Sequence, residues 1–204
     1  MAEDTLGLGA RAWLMAAVGF LWLTVPTAGA GPSWSVTVLG AENDVRLPAV
    51  AEAVEFWNLQ LSGVRAKLRL GAITRRDAQI PDVVLRQMAE PPFNAWTRQL
   101  DTIDGDVIVA LSGADLISHG APPRRDRKGI VIIRRADIPP LSLPNVLRNV
   151  MAHEFGHALG LPHNTDPATL MCGRPSDCRP ALFRSETTVF FPLTDADRRA
   201  LAKH

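Results

Sequence analysis

No tyrosine occurs among the 204 residues, cysteine occurs only twice, and the charges nearly cancel, with 22 Lys and Arg against 21 Asp and Glu. A net charge of +1 creates no field that would gather a polyanion. The basic residues are scattered without aromatic interleaving. Their densest run, Arg124-Arg125-Asp126-Arg127-Lys128, reads as a solvated loop, so no nucleic-acid partner is expected. A Gly-rich phosphate loop and a Gly-x-Ser-x-Gly elbow are both missing, which leaves nucleotide-dependent and serine-hydrolase chemistry without a candidate. No internal repeat or low-complexity array is apparent, so repeat architectures are set aside.

What is present fits a single domain with an ample core: 47% hydrophobic and 21% charged residues over 204 positions. The N-terminus carries an export pattern. Ala12 to Val25 is almost wholly apolar, follows Arg11, and precedes Pro26 and the small-residue triplet Ala28-Gly29-Ala30, so cleavage is expected after Ala30. Residues 1–30 are thus read as a signal peptide and residues 31–204 as the mature domain. The apolar stretch is short for a membrane span of about 20 residues. Glu3 and Asp4 make its leading region less positive than usual, which keeps an uncleaved membrane anchor as the alternative, with a buried core helix as a third reading. In the oxidising compartment that export implies, Cys172 and Cys178 are expected to form a disulfide that staples a small loop; two free buried thiols are the alternative.

The segments after the leader read as α+β. Trp34–Leu39 is rich in β-branched residues and reads as a strand, while Leu47, Val50, Val54, Trp57 and Leu61 recur at helical steps before Gly63. Val64, Ala66, Leu68 and Leu70 alternate with Arg65, Lys67 and Arg69, which predicts a strand over 64–70, and Val83–Leu85 reads as a shorter one. Val107–Leu111 and Ile130–Ile133 are continuous apolar runs, the pattern of strands buried on both faces.

The chemistry is concentrated in His153-Glu154-Phe155-Gly156-His157-Ala158-Leu159-Gly160-Leu161-Pro162-His163. On a helix, His153 and His157 leave one face a turn apart and can share a metal ion. Gly160 can take the left-handed conformation that ends a helix, Pro162 confirms the stop, and His163 can swing in as a third imidazole. Three neutral imidazoles leave a fourth position for water, the arrangement of a catalytic zinc. Glu154, beside His153, can face that position as general base and later general acid. Chance occurrence of the string is on the order of 10⁻⁵ for a chain of this length. Pro144 sits in the first turn of the helix, and Val146, Leu147, Val150, Met151 and Leu159 make it apolar nearly all round, as in a buried central helix.

The continuation His163-Asn164-Thr165-Asp166-Pro167-Ala168-Thr169-Leu170-Met171 resembles the metzincin zinc peptidases, and among them the matrixin-type proteins. The resemblance is specific from about Leu143 to Met171, and Leu193-Thr194-Asp195-Ala196-Asp197 looks like the start of the family's closing helix. It implies a metzincin-like α+β catalytic domain with a twisted mixed sheet, two long helices and a small C-terminal lobe ending in a helix. It also implies that Met171 is the Met-turn methionine, an apolar floor beneath the metal rather than a ligand. Without tyrosine, the chain lacks the extra tyrosine ligand of astacin-like and serralysin-like relatives, and Gly173-Arg174-Pro175 stands near the place of the usual Pro-x-Tyr wall. No cysteine lies upstream of the histidines, so the family's cysteine switch is absent.

The sequence thus leads us to expect an exported zinc-dependent endopeptidase, a secreted or periplasmic monomer acting on a peptide or protein bound as an added strand at a sheet edge. The alternative is a zinc-binding exported or membrane-anchored module that does not cut. Arg174, Arg179 and Arg184 read as surface charges rather than selectors of an acidic substrate. His119 reads as a loop histidine, because no matching His precedes the zinc helix. Asp104-Gly105-Asp106 falls short of the ligand count calcium needs and is equally explained by a hairpin turn.

Overall fold

The computed structural model describes residues 31–173 and 189–204. The leader, Cys178 with its expected bond, and Arg174, Arg179 and Arg184 lie outside these residues.

Five strands form one mixed sheet in the order β2-β1-β3-β5-β4. β1 (Ser33–Leu39), β2 (Arg69–Arg76), β3 (Val107–Leu111) and β5 (Gly129–Ile133) run parallel, and β4 (His119–Ala121) is antiparallel to β5 at the far edge. Every residue of β3 and β5 is buried, as their unbroken apolar runs require. On one face, Val36, Val38, Val109 and Val131 pack with α1 (Leu47–Gly63) and α3 (Pro144–Ala158). On the other, Leu39, Ile108, Ile130 and Ile132 pack with Leu85 and Met88 of α2 (Asp82–Ala89) and with Leu100 of a 3-10 turn over Arg98–Thr102. A short α4 (Asp195–Leu201) closes the chain, started by a capping box between Thr194 and Asp197.

Three expectations about elements need correction. The strand expected over 64–70 begins only at Arg69, because Val64–Arg65 is still the turn out of α1: the Val64 N–H caps the Gln60 carbonyl and Arg65 sits at φ 58°. Ala66, Leu68 and Leu70 are nevertheless buried, so the alternation reported burial correctly and strand pairing wrongly. Val83–Leu85 lies in α2, where Leu85, Met88 and Ala89 recur at helical spacing and Pro81 presets the N-cap. Asp104-Gly105-Asp106 is no hairpin, since it leads into β3, whose neighbours are both parallel to it. There Gly105 takes φ 125°, the Asp106 carboxylate accepts from the Ser35 N–H and Oγ at 2.8 Å, and Asp104 pairs with Arg76.

The two long helices are locked together around the motif. Fully buried Trp57 of α1 donates its indole N–H to the Ala152 carbonyl at 2.9 Å, and Arg148 of α3 pairs with Glu52 of α1. Asn145 and Asn149, both buried in α3, act as surrogate backbone for the returning chain. Asn149 donates to the Val189 carbonyl at 2.7 Å and accepts from the Phe191 N–H at 3.0 Å, while Asn145 accepts from the Val189 N–H at 3.2 Å. The helix carrying the motif is thereby held at both faces before any ligand is considered.

Candidate metal centre

His153 and His157 project from the last two turns of α3, as their four-residue spacing dictates. The helix ends in a Schellman motif: the Leu161 N–H bonds the Gly156 carbonyl and the Gly160 N–H bonds the His157 carbonyl, both at 2.9 Å, with Gly160 at φ 81°. This reversal brings the Leu161 carbonyl to 2.7 Å from His157 Nδ1 and sends His163 back toward the helix. The polar run after His163 then winds into a compact turn. Asn164 Oδ1 accepts from the Asp166 N–H and the Thr169 hydroxyl, and Asp166 Oδ1 accepts from the Ala168 N–H. Its effect is to return Leu170 and Met171 beneath α3, where the Leu170 carbonyl lies 2.7 Å from His153 Nδ1.

The three Nε2 atoms converge to mutual separations of 2.9, 3.1 and 3.2 Å. A carbonyl only accepts, so Nδ1 of His153 and of His157 each carries its proton and the two Nε2 atoms face each other as lone pairs. Lone pairs at 3.2 Å repel unless a cation lies between them. Nitrogens held about 2.0–2.1 Å from a tetrahedral zinc would stand about 3.3 Å apart, so the donor set suits that ion. Among the described residues these three histidines form the one cluster able to hold a metal. Burial pushes His157 down to about 4 and lowers His163 as well, so neither has to shed a proton near neutrality to become a ligand.

Glu154 is buried to 7% exposure, and that burial pushes its carboxyl up to about 8, against a smaller lowering by the Gly120 N–H. Gly120 is central to β4: a β-carbon there would lie 2.0 Å from the Glu154 carbonyl oxygen and 2.9 Å from His157 Cβ. The edge strand therefore runs directly against the motif helix, and only glycine permits it. Gly156 plays the same part below, because a β-carbon there would lie 2.5 Å from Met171 Sδ. Met171 is fully buried against Gly156, and Cys172 beside it is buried.

The sequence did not single out Gly120 or Gly156, since a glycine's role in close approach depends on what arrives from elsewhere. His119, expected in a loop, is instead the first residue of β4, near enough to His157 to influence its titration. Burial lowers its own pKa, and its ring stacks on Phe93 at 5.0 Å and 7°. The run Arg124–Lys128 forms the turn from β4 to β5, where Arg127 lies over Trp96 at 5.6 Å. His204 Nε2 donates to the Leu159 carbonyl at 2.9 Å, just past α3.

Comparison with known proteins bears on this arrangement. The matrixin family model matches residues 95–186. The crystal structure of archaemetzincin from Methanopyrus kandleri superposes with a TM-score of 0.51 over 88% of this chain and 97% of that one, at 16% identity, a likeness of fold. No curated protein matches the sequence. The family model thus covers the motif and less than half of the chain, and the structural likeness is one of fold.

Proposed function

We propose that this chain, metzincin-like in motif and in fold, is an exported zinc endopeptidase in which His153, His157 and His163 hold the ion and Glu154 is the general base and acid. The observation that carries the reading is the convergence of three imidazole Nε2 atoms, two of them forced to present lone pairs, next to a buried carboxyl beneath the edge strand of the sheet. Zinc bound there would supply a Lewis acid that acidifies water and polarises a carbonyl.

The rest belongs to the protein. Among the described residues β4 is paired on one side only, so an extended peptide can add to its other edge and pass over the histidines. Glu154, which Gly120 keeps against that edge, takes a proton from the attacking water and delivers it to the departing amine. An intrinsically high carboxyl pKa suits this double duty, because the positive charge of a neighbouring ion favours the ionised base and the proton, once taken, is held in a buried site until the amine accepts it. Met171 and Gly156 set the floor on which the imidazoles keep their aim.

Glu154→Ala should retain one zinc per chain and lose hydrolysis of casein by at least about a hundredfold, whereas His157→Ala should lose the zinc itself. Both are read by elemental analysis beside zymography with and without a chelator. Full activity in Glu154→Ala, or unchanged zinc in His157→Ala, would refute the assignment. Export rests on the leader pattern of residues 1–30, and no described helix is long and apolar enough to cross a membrane. N-terminal sequencing of the product should begin at Gly31; a start at Met1 in the exported protein would mean that the leader stays on as an anchor.

A further inference from the structure

Gly120 turns its missing side chain toward α3, so His119 and Ala121, its neighbours in β4, turn theirs to the other face of the sheet. Ala121 confirms this by packing in the second core cluster. His119 is next to the open edge, and there its ring is covered by Phe93 in a near-parallel stack. Phe93 is unusual in two respects. It is a large aromatic left 47% exposed, and it holds φ 56°, a conformation that costs a bulky side chain and that glycine would adopt freely. The turn that sets it, with the Phe93 N–H bonded to the Glu90 carbonyl, spends backbone strain on presenting a half-exposed ring over His119.

We infer that the Phe93–His119 stack is a specificity element of the cleft, a flat aromatic shelf that receives an apolar side chain of the bound peptide. The inference rests on the peptidase reading for its occupant: a peptide added to the β4 edge points alternate side chains to the two faces of the sheet, and the one or two on the face opposite α3 that lie across from His119 pass beside it. Those on the α3 face meet the metal centre, and those on the opposite face meet the shelf. An aliphatic or aromatic side chain there is shielded from water by the Phe93 ring, whereas a carboxylate loses hydration without gaining a partner. The strand rather than the base sets the selected position, so Phe93 is a positioning residue and takes no part in bond cleavage.

The test uses the zinc-loaded full chain and a fixed peptide in which each position in turn carries Gly, Asp or Phe. In the wild type, Phe should raise kcat/KM about tenfold over Asp at one position, or at two positions two residues apart, the gain that roughly half-burying an aromatic ring provides. Phe93→Gly should cut this preference to within about twofold, leave the Gly peptide unchanged, and raise rather than lower Tm because it relieves the positive φ; Phe93→Trp should keep the preference. Dissociation constants measured with Glu154→Ala, which should bind without cutting, should show the same position and the same loss. Active wild type whose profile is untouched by Phe93→Gly overturns the shelf and spares the peptidase. Phe93-dependent binding without any cleavage by the wild type overturns the peptidase and leaves the shelf as a recognition surface. Absence of both overturns both, and a Tm drop in Phe93→Gly with an unchanged profile assigns Phe93 to structure alone.

Discussion

Glu154 is under two opposed demands. It must be buried to stand beside the histidines beneath β4, yet burial penalises the charge that its proposed role as general base needs, and without an ion its carboxyl is pushed up to about 8. In the metal-free protein the unfolded chain loses this proton near 4.5, its ordinary value, while the folded chain keeps it until about 8. Between those values the folded state binds more protons, so its stability falls as pH rises. His157, pushed down to about 4 from 6.5, acts in the opposite sense: its contribution is complete above 6.5 and is lost as pH falls toward 4. Comparing the metal-free wild type with Glu154→Gln isolates the carboxyl. The wild type should lose stability relative to the variant from about pH 4.5 to 8, by on the order of a few kcal/mol at most, in chemical denaturation at stepped pH. Parallel curves would mean that Glu154 is not buried as an acid. The convergence of the three histidines was legible because its geometry is local: four residues along a helix fix His153 and His157, and Gly160 with Pro162 announces the reversal that returns His163. His119 was not, since its importance arises from pairing with Ile132 and from a ring that arrives 26 residues earlier in the chain.

At the scale of elements, β4 is the piece that makes the histidines into a site, and it was invisible in the sequence. Three residues, two of them glycine and alanine, carry no periodic signal; what makes them a strand is the apolar β5 beside them and α3 beneath. The same dependence explains β2, where alternation marked burial against α1 while the ladder began five residues after Val64. By contrast, α1 and α3 are long enough for helical periodicity and end signals to agree, and both appear where expected. Gly120→Ala tests the contact directly. Its β-carbon would lie 2.0 Å from a backbone oxygen that cannot rotate away, so β4 must lift from α3. Activity should fall by at least about tenfold, as expected when a catalytic pair is displaced by about an ångström, while zinc content stays near one per chain because all three ligands lie on α3 and the segment after it. Wild-type turnover in Gly120→Ala would show that the edge strand does not position the peptide.

Across the whole molecule, the three-histidine cluster joins α3 to a returning segment and a C-terminal helix that also pack on the first core through Leu161, Leu170, Met171, Phe191, Leu193 and Leu201. His153 and His157 belong to α3, buried on the first core; His163 belongs to the returning segment, whose Asn164 reaches Asp197 of α4 at 3.4 Å. Asp197 in turn caps its own helix through Thr194. An ion shared by the three imidazoles would replace mutual lone-pair repulsion with common attraction and so clamp the C-terminal lobe to the sheet and helices. Mass action sets the scale: zinc at about a hundred times its dissociation constant adds about 2.7 kcal/mol, equivalent to about 5–10 °C in Tm for a domain of this size. Chelation should therefore lower Tm by that amount, and hydrogen exchange should quicken in residues 159–173 and 193–204 while β1, β3 and β5 keep their protection. The asymmetry matters more than the size of the shift. A metal that merely decorated the surface would leave both lobes equally protected, and a metal required for folding would expose the sheet too. Loosening confined to the C-terminal lobe requires that α1, α3 and the sheet fold on their own core and that the ion then fixes the lobe that floors the cleft.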